Sequence, residues 1–174
     1  MLTTKLQTRD DMSVATEDFI EQLGGLVLDH RFKRLSRRLL GEAEVLYVEA
    51  GLTFKPRWVS TYRLLEAEPW LAIGEVATRL HMSHPAVIQI AGAMKKAGLL
   101  RSRRDSGDAR RRLLGLSDRG LAMRKALEHL WRALEREQIE LFALAGVDIL
   151  DVLEKVSAEL DARPLADRVA VGAV

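Results

Sequence analysis

Eight basic residues fall between Lys95 and Arg112: Lys95, Lys96, Arg101, Arg103, Arg104, Arg110, Arg111 and Arg112. Only Asp105 and Asp108 oppose them there, so this window carries +6 in a chain whose formal net charge is +2, and everything outside it sums to −4. A cationic field of that size on a nearly neutral protein selects a polyanionic partner. Arginines at a hairpin tip suit a narrow minor groove, where the negative potential is enhanced. Arg110 stands next to the tip, with Asp108 two residues earlier to orient its guanidinium, and Arg111 and Arg112 are placed to reach phosphates. Just upstream lie side chains that suit base edges: Gln89 for an adenine, Ile88 for a thymine methyl, and His84 for a base or a phosphate.

These residues need elements to hold them. Leu71 to Leu116 reads as a helix, a tight turn at His81-Met82-Ser83, a second helix, and a two-stranded ribbon. Ile73, Val76, Ala77 and Leu80 give the first helix an inward face. Ser83 caps the second, about Ser83 to Ala97, in which Val87, Ala91, Met94 and Gly98 share a face and His84, Ile88 and Gln89 point away. Pro85 is tolerated because first-turn amides have no partner inside a helix. The ribbon runs Leu99 to Arg103 and Arg110 to Leu116, joined by Asp105-Ser106-Gly107-Asp108, residue types that turn easily. A short helix crossing the backbone and a second in the major groove is the helix-turn-helix mode of reading a duplex. The reading of Ser83, His84, Ile88, Gln89, Lys95, Arg103, Arg104, Asp108, Arg110, Arg111 and Arg112 as DNA-binding residues follows. An alternative from a different class is an interaction module whose basic face meets an acidic protein.

Flanking this segment are long amphipathic stretches. Thr16, Glu17 and Asp18 make a helix start, and Gly24-Gly25 an interruption. Leu28, Phe32, Leu35, Leu39, Ala43 and Leu46 then form one apolar stripe up to Gly51. Pro56 opens another helix, with Trp58, Tyr62 and Leu65 on its buried face. Ser117 caps a long helix lined by Met123, Leu127, Leu130, Leu134, Leu141 and Leu144, which ends at Gly146. A last helix carries Ile149, Leu153, Val156 and Leu160. The expected class is therefore mainly α with a small β-wing. The expected organisation is a flexible tail over 1–14, one dimer-forming domain over 15–163, and a loose tail over 164–174. Within that domain the DNA-reading part spans about 56–117 and the dimerisation helices about 15–50 and 118–163. One subunit has little to set against so many outer stripes, and a homodimer buries them.

Composition narrows the chemistry. The 174 residues are 48% hydrophobic and 30% charged, ordinary for a globular protein, and the 5% aromatics argue against base stacking on single strands. With no cysteine, disulfides, thiolate metal sites and thiol redox sensing are excluded. The four histidines, His30, His81, His84 and His129, lack metal spacing. No phosphate-cradling glycine loop and no nucleophile–base arrangement supports catalysis, so an enzyme, a cofactor and a metal are not expected. The polar stretch Met1 to Ser13 has no signal-peptide core and no apolar run reaches spanning length, so a cytoplasmic location away from membranes is expected.

The combined pattern resembles the MarR family of winged-helix transcriptional regulators. It is carried by Leu71 to Leu80, Ser83-His84-Pro85-Ala86-Val87, Gly98-Leu99-Leu100, Asp105-Ser106-Gly107-Asp108-Ala109-Arg110 and Leu116-Ser117-Asp118-Arg119-Gly120, over about residues 28 to 160. The resemblance implies a winged helix-turn-helix core flanked by dimerisation helices. It also implies a homodimer on a pseudo-palindromic operator, usually a repressor released by a small-molecule ligand. Arg110 then corresponds to the wing-tip arginine and Asp108 to its partner. Family pockets lie between the outer helices and the reading head, which makes His30, Arg57, Trp58 and Tyr62 the candidate ligand contacts. Gly92 and Ala93 depart from the family, which usually has an acid and an arginine there. So does Ala72, where a capping Thr or Ser is common.

Overall fold

The computed structural model describes residues 18–108 and 111–169, so Thr16, Glu17, the tail over 1–14 and the wing-tip Arg110 lie outside the described residues. The chain divides into two compact units, residues 1–42 and 43–174. In the first, α1 (Phe19–Gln22) is capped by Asp18, whose carboxylate accepts from the Ile20 amide at 3.0 Å and pairs with Arg34. The two glycines expected to interrupt the helix form a 3-10 turn over Gly24–Val27, with Gly24 at φ +56°. Then α2 (Leu28–Glu49) begins. The first turns of its apolar stripe lie open: Leu28, Phe32 and Leu35 are all exposed.

The second unit has its own core. Tyr47 on the last turns of α2 is buried, and a 3-10 turn over Pro56–Trp58 leads into α3 (Val59–Ala67). Five aromatic rings pack there. Phe54 meets Tyr47, Trp58, Tyr62 and Trp131 at centroid distances of 5.3 to 5.8 Å, and the Trp131 indole donates to the Tyr47 hydroxyl at 2.6 Å.

After α3 comes a correction to the expected helix over Leu71 to Leu80. Leu71–Ala72 is a strand, β1, and the helix, α4, covers Ile73–Arg79. Ala72 is extended, and its amide donates to the Glu75 carboxylate at 2.6 Å, the half of a capping box that needs no side chain at residue 72. The turn follows with His81 at φ +50°, then α5 (His84–Lys96). The ribbon is β2 (Leu100–Arg104) and β3 (Arg112–Leu116), each a residue or two displaced from its expected start. It is also not two-stranded. The sheet is antiparallel in the order β1-β3-β2, with Leu71 opposite Leu114 and Leu100 opposite Leu116. A two-residue strand has no periodicity to read, and it forms because β3 offers it a free edge.

The end of α5 and the start of the next helix are bound together. Gly98, at φ +75°, closes a Schellman turn: the Leu99 amide donates to Met94 and the Gly98 amide to Lys95, each at 2.9 Å. Ser117 docks onto that turn, its amide donating to Leu99 at 2.9 Å and its hydroxyl to the Gly98 carbonyl at 2.6 Å. The same hydroxyl caps α6 (Asp118–Ala122) by accepting from Gly120 at 3.0 Å. The long helix expected from Ser117 is divided at Met123 into α6 and α7 (Arg124–Leu144). Asp148 then caps α8 (Ile149–Ala162), and within the stretch read as a tail α9 (Leu165–Arg168) makes one further turn. Among the described residues no helix is long and apolar enough to cross a membrane.

Two consequences can be measured. A Cβ at Gly120 would stand 2.4 Å from the Leu99 carbonyl oxygen, so Gly120→Ala must part α6 from the α5–β2 junction. It should destabilise the fold by at least about 1–3 kcal/mol in urea titrations. The Tyr62 hydroxyl donates to the Gly120 carbonyl at 2.8 Å from a fully buried site. Burial, with the Glu66 carboxylate nearby, pushes this phenol up to about 12. Unfolded tyrosines ionise near pH 10 while the folded chain keeps this proton, so stability is full below 10 and falls as pH climbs from about 10 toward 12. Tyr62→Phe should lower stability at neutral pH by about 1–3 kcal/mol. It should also lose less than wild type between pH 9 and 11, as read from urea midpoints.

Candidate nucleic-acid interface

The helix pair α4 and α5 presents one end of α5 outward. Ser83 accepts from the Ala86 amide at 3.4 Å, and Val87, Ile90, Ala91 and Met94 turn into the core. That leaves His84, Ile88, Gln89, Gly92 and Ala93 exposed, as the 3.6-residue period requires. Ile88 is 54% exposed, a large apolar group left open on a helix otherwise well packed. The His84 ring lies over Gly74 of α4, where a Cβ would stand 3.1 Å from Nε2. At the other end of α5, Lys95 donates to the Ser102 hydroxyl of β2 at 3.1 Å and joins helix to wing.

The wing turn is built by its acids. Asp105 accepts from the Gly107 amide at 2.9 Å, and the Arg111 amide donates to the Asp108 carbonyl at 2.9 Å. The relation expected between Asp108 and Arg110 lies outside the described residues. The arginines divide into two groups. Arg111 is engaged within the protein, 3.1 Å from Glu75 on α4 and 3.7 Å from Asp105. Both its partners are partly solvated, so these pairs hold it weakly, at up to about 1 kcal/mol each. Arg104 and Arg112 stand directly opposite each other in the ladder, both exposed, and no carboxylate among the described residues pairs with either. Like charges in that register destabilise a hairpin unless an anion neutralises them.

Arg103 belongs to the other face of β2, where its guanidinium lies 4.1 Å from the centre of the Trp70 ring. Trp70 is absent from the sequence-predicted site. Its signal was Gly115: a glycine inside a strand marks a close approach by something else, and here that something is the indole.

The candidate ligand contacts take different positions. Tyr62 and Trp58 are core residues, Arg57 is exposed at the 3-10 turn, and His30 is exposed in the first unit.

A helix-turn-helix followed by a cationic hairpin, whose sheet is completed by a short strand before the first helix, defines a winged helix-turn-helix fold. The sequence pattern of the MarR family matches residues 62–111, from α3 to the tip of the wing. Solved structures of that class share the fold. The transcriptional repressor CouR bound to a 23-mer DNA duplex matches at 25% identity and a TM-score of 0.63, covering 78% of this chain and 96% of that one. PcaV from Streptomyces coelicolor in complex with its natural ligand matches at 23% identity and 0.56, covering 71% and 89%. The M. tuberculosis regulator MOSR in complex with DNA matches at 20% and 0.60, covering 77% and 96%. No curated protein matches the sequence. The chain thus carries the MarR family's pattern over residues 62–111 and is similar in fold to solved winged-helix transcriptional regulators.

The opposed arginines give a test that needs no ligand. Arg104→Ser should raise hairpin stability at low salt by about 0.2–1 kcal/mol. Sodium sulfate should stabilise wild type more than the variant in thermal melts, because wild type has the charge pair to screen.

Proposed function

We propose that this regulator binds duplex DNA through α5 and the wing, as a homodimer on a pseudo-palindromic operator, and represses transcription until a small molecule releases it. The observation that carries the DNA reading is the Arg104–Arg112 pair, two like charges held side by side at the expense of the fold. A phosphate backbone supplies the missing anion, and α5 exposes Gln89 and Ile88, side chains suited to base edges. Ser83, His84, Lys95, Arg103, Asp108, Arg110 and Arg111 complete the proposed contact set, with Arg110 at the tip. Arg111 has two carboxylates to leave before it meets a phosphate, so its share should be smaller than that of Arg104 or Arg112.

The homodimer is supported by apolar side chains left open in both units: Leu28 and Phe32 in the first, Leu150, Leu153, Val156 and Leu160 on α8 in the second. Repression and release draw on the structural neighbours, one a repressor on DNA and one holding its natural ligand. For an effector we keep His30, Arg57, Trp58 and Tyr62. A ligand that loosened Tyr62 from Gly120 would act on the junction that carries both α5 and the wing. Such a role places the protein with the chromosome, in the cytoplasm.

Duplex affinity measured by fluorescence anisotropy tests the reading. Arg104→Ala with Arg112→Ala should weaken binding at fixed salt, and the slope of log K against log salt should shrink by about 2. Arg110→Ala should weaken it as well. An affinity and slope unchanged in all these variants would remove the wing from the interface. In sedimentation the free protein should run at twice the chain mass.

A further inference from the structure

Trp70 is held in a conformation that a bulky residue avoids. Its φ is +71°, in the left-handed region, where side chains with a Cβ are uncommon and a large one is an outlier. Such strain persists only where the surroundings hold it. The surroundings are specific. A Cβ at residue 115 would stand 3.1 Å from two carbons of the indole, so glycine at that place in β3 is what lets the ring lie against the strand. Arg101 and Arg103 alternate onto the same face of β2 and both meet the ring, at 5.2 and 4.1 Å from its centre. Arg101 is also shared with Asp118 at 3.6 Å. Arg103 has no carboxylate partner among the described residues.

We infer that Trp70 is a positioning residue of the wing: its indole orders the Arg103 guanidinium and turns its in-plane N–H donors toward a phosphate. The inference rests on the duplex-binding reading above. A stacked guanidinium commits its face to the ring and keeps its planar fork of donors for an acceptor. A long cationic side chain loses rotamer freedom when it binds, and one already ordered loses less. Trp70 therefore strengthens binding without touching the nucleic acid. The strained backbone at residue 70 and the bare Cα at residue 115 are the cost of bringing the ring there.

The alternative is that Trp70 only covers the sheet. Trp70→Leu separates the two, since leucine keeps apolar cover and lacks a π face, whereas Trp70→Phe keeps a ring. In the free protein, the Arg103 Nε–Hε NMR signal, assigned with Arg103→Ala, should be shifted by the ring current. It should move to the position of a free arginine in Trp70→Leu and remain shifted in Trp70→Phe. With a random-sequence duplex at low salt, Trp70→Leu should bind roughly three- to fivefold more weakly than wild type, the range of a stacked cation. Trp70→Phe should bind nearly as well as wild type. Trp70→Leu combined with Arg103→Ala should be no weaker than Arg103→Ala alone. Thermal melts check that every variant is folded. Equal affinities for the Leu and Phe variants, additive losses in the double variant, or an unshifted Arg103 signal would overturn the inference and leave duplex binding standing. A wild type that binds no duplex at low salt would overturn the duplex reading, and this inference with it.

Discussion

Gly120 sits against the carbonyl oxygen of Leu99 with no room for a methyl group between them, and most of the reading head is hung from that contact. Leu99 ends the Schellman turn that stops α5, and the next residue begins β2, so its carbonyl marks where α5 gives way to the wing. Ser117 binds the same turn twice and caps α6 with the hydroxyl it uses there. Tyr62 reaches in from α3 to take the Gly120 carbonyl, which helix geometry would otherwise pass to a later amide. Four elements are thus registered by three hydrogen-bonding groups, the Tyr62 hydroxyl buried and Ser117 partly so. Buried polar groups joined this way stabilise only when all are satisfied, so the junction is stiff in proportion to its completeness.

A stiff junction matters because what it supports is electrostatically uncomfortable. The hairpin sets Arg104 against Arg112 and draws a further cation, Arg111, back toward α4 through Glu75. A self-sufficient hairpin would alternate charges across the ladder. This one leaves its repulsion to the wider fold: β1 pairs on the outer edge of β3, Lys95 ties helix to strand, and the indole of Trp70 takes up Arg103. The opposing acids are used where they shape backbone, Asp105 in the turn and Glu75 at the cap of α4, and not where they would quench the exposed pair.

Much of this is legible in the amino-acid sequence. Helices with long apolar periods announced themselves, since burial of one face writes a 3.6-residue pattern. The cap at Ser83 and the turn at Asp105 to Asp108 were equally plain, because those residue types act through local hydrogen bonds. What escaped was non-local. The pairing of Leu71–Ala72 depends on an edge of β3 some forty residues away, and no two-residue stretch can advertise that. Arg111 looked like its neighbours in sequence, and only the approach of α4 distinguishes it. Trp70 followed a proline and fitted no period, so its role emerged only when Gly115 was seen beneath it. The buried state of Tyr62 follows from its helix face. Its bond to Gly120 does not, since the partner is a carbonyl on another helix.

The division of labour across the site follows from the residue types. Between His84 and Ala93 the exposed surface of α5 holds no lysine or arginine. The commonest specific contact to guanine, a bidentate cation on its major-groove edge, is therefore not on offer along that stretch. What remains is one amide at Gln89, one imidazole at His84, the open side chain of Ile88 and the small residues Gly92 and Ala93, which permit close approach. Charge enters at the last turn of α5, with Lys95, already bound to the wing, and Lys96, and then throughout the wing itself. On the proposed duplex reading, attraction to phosphate and discrimination among bases fall on different elements. The Leu99–Gly120 contact lies where the two join, so on that reading a change there that touched neither surface would still alter how well both engage one duplex together.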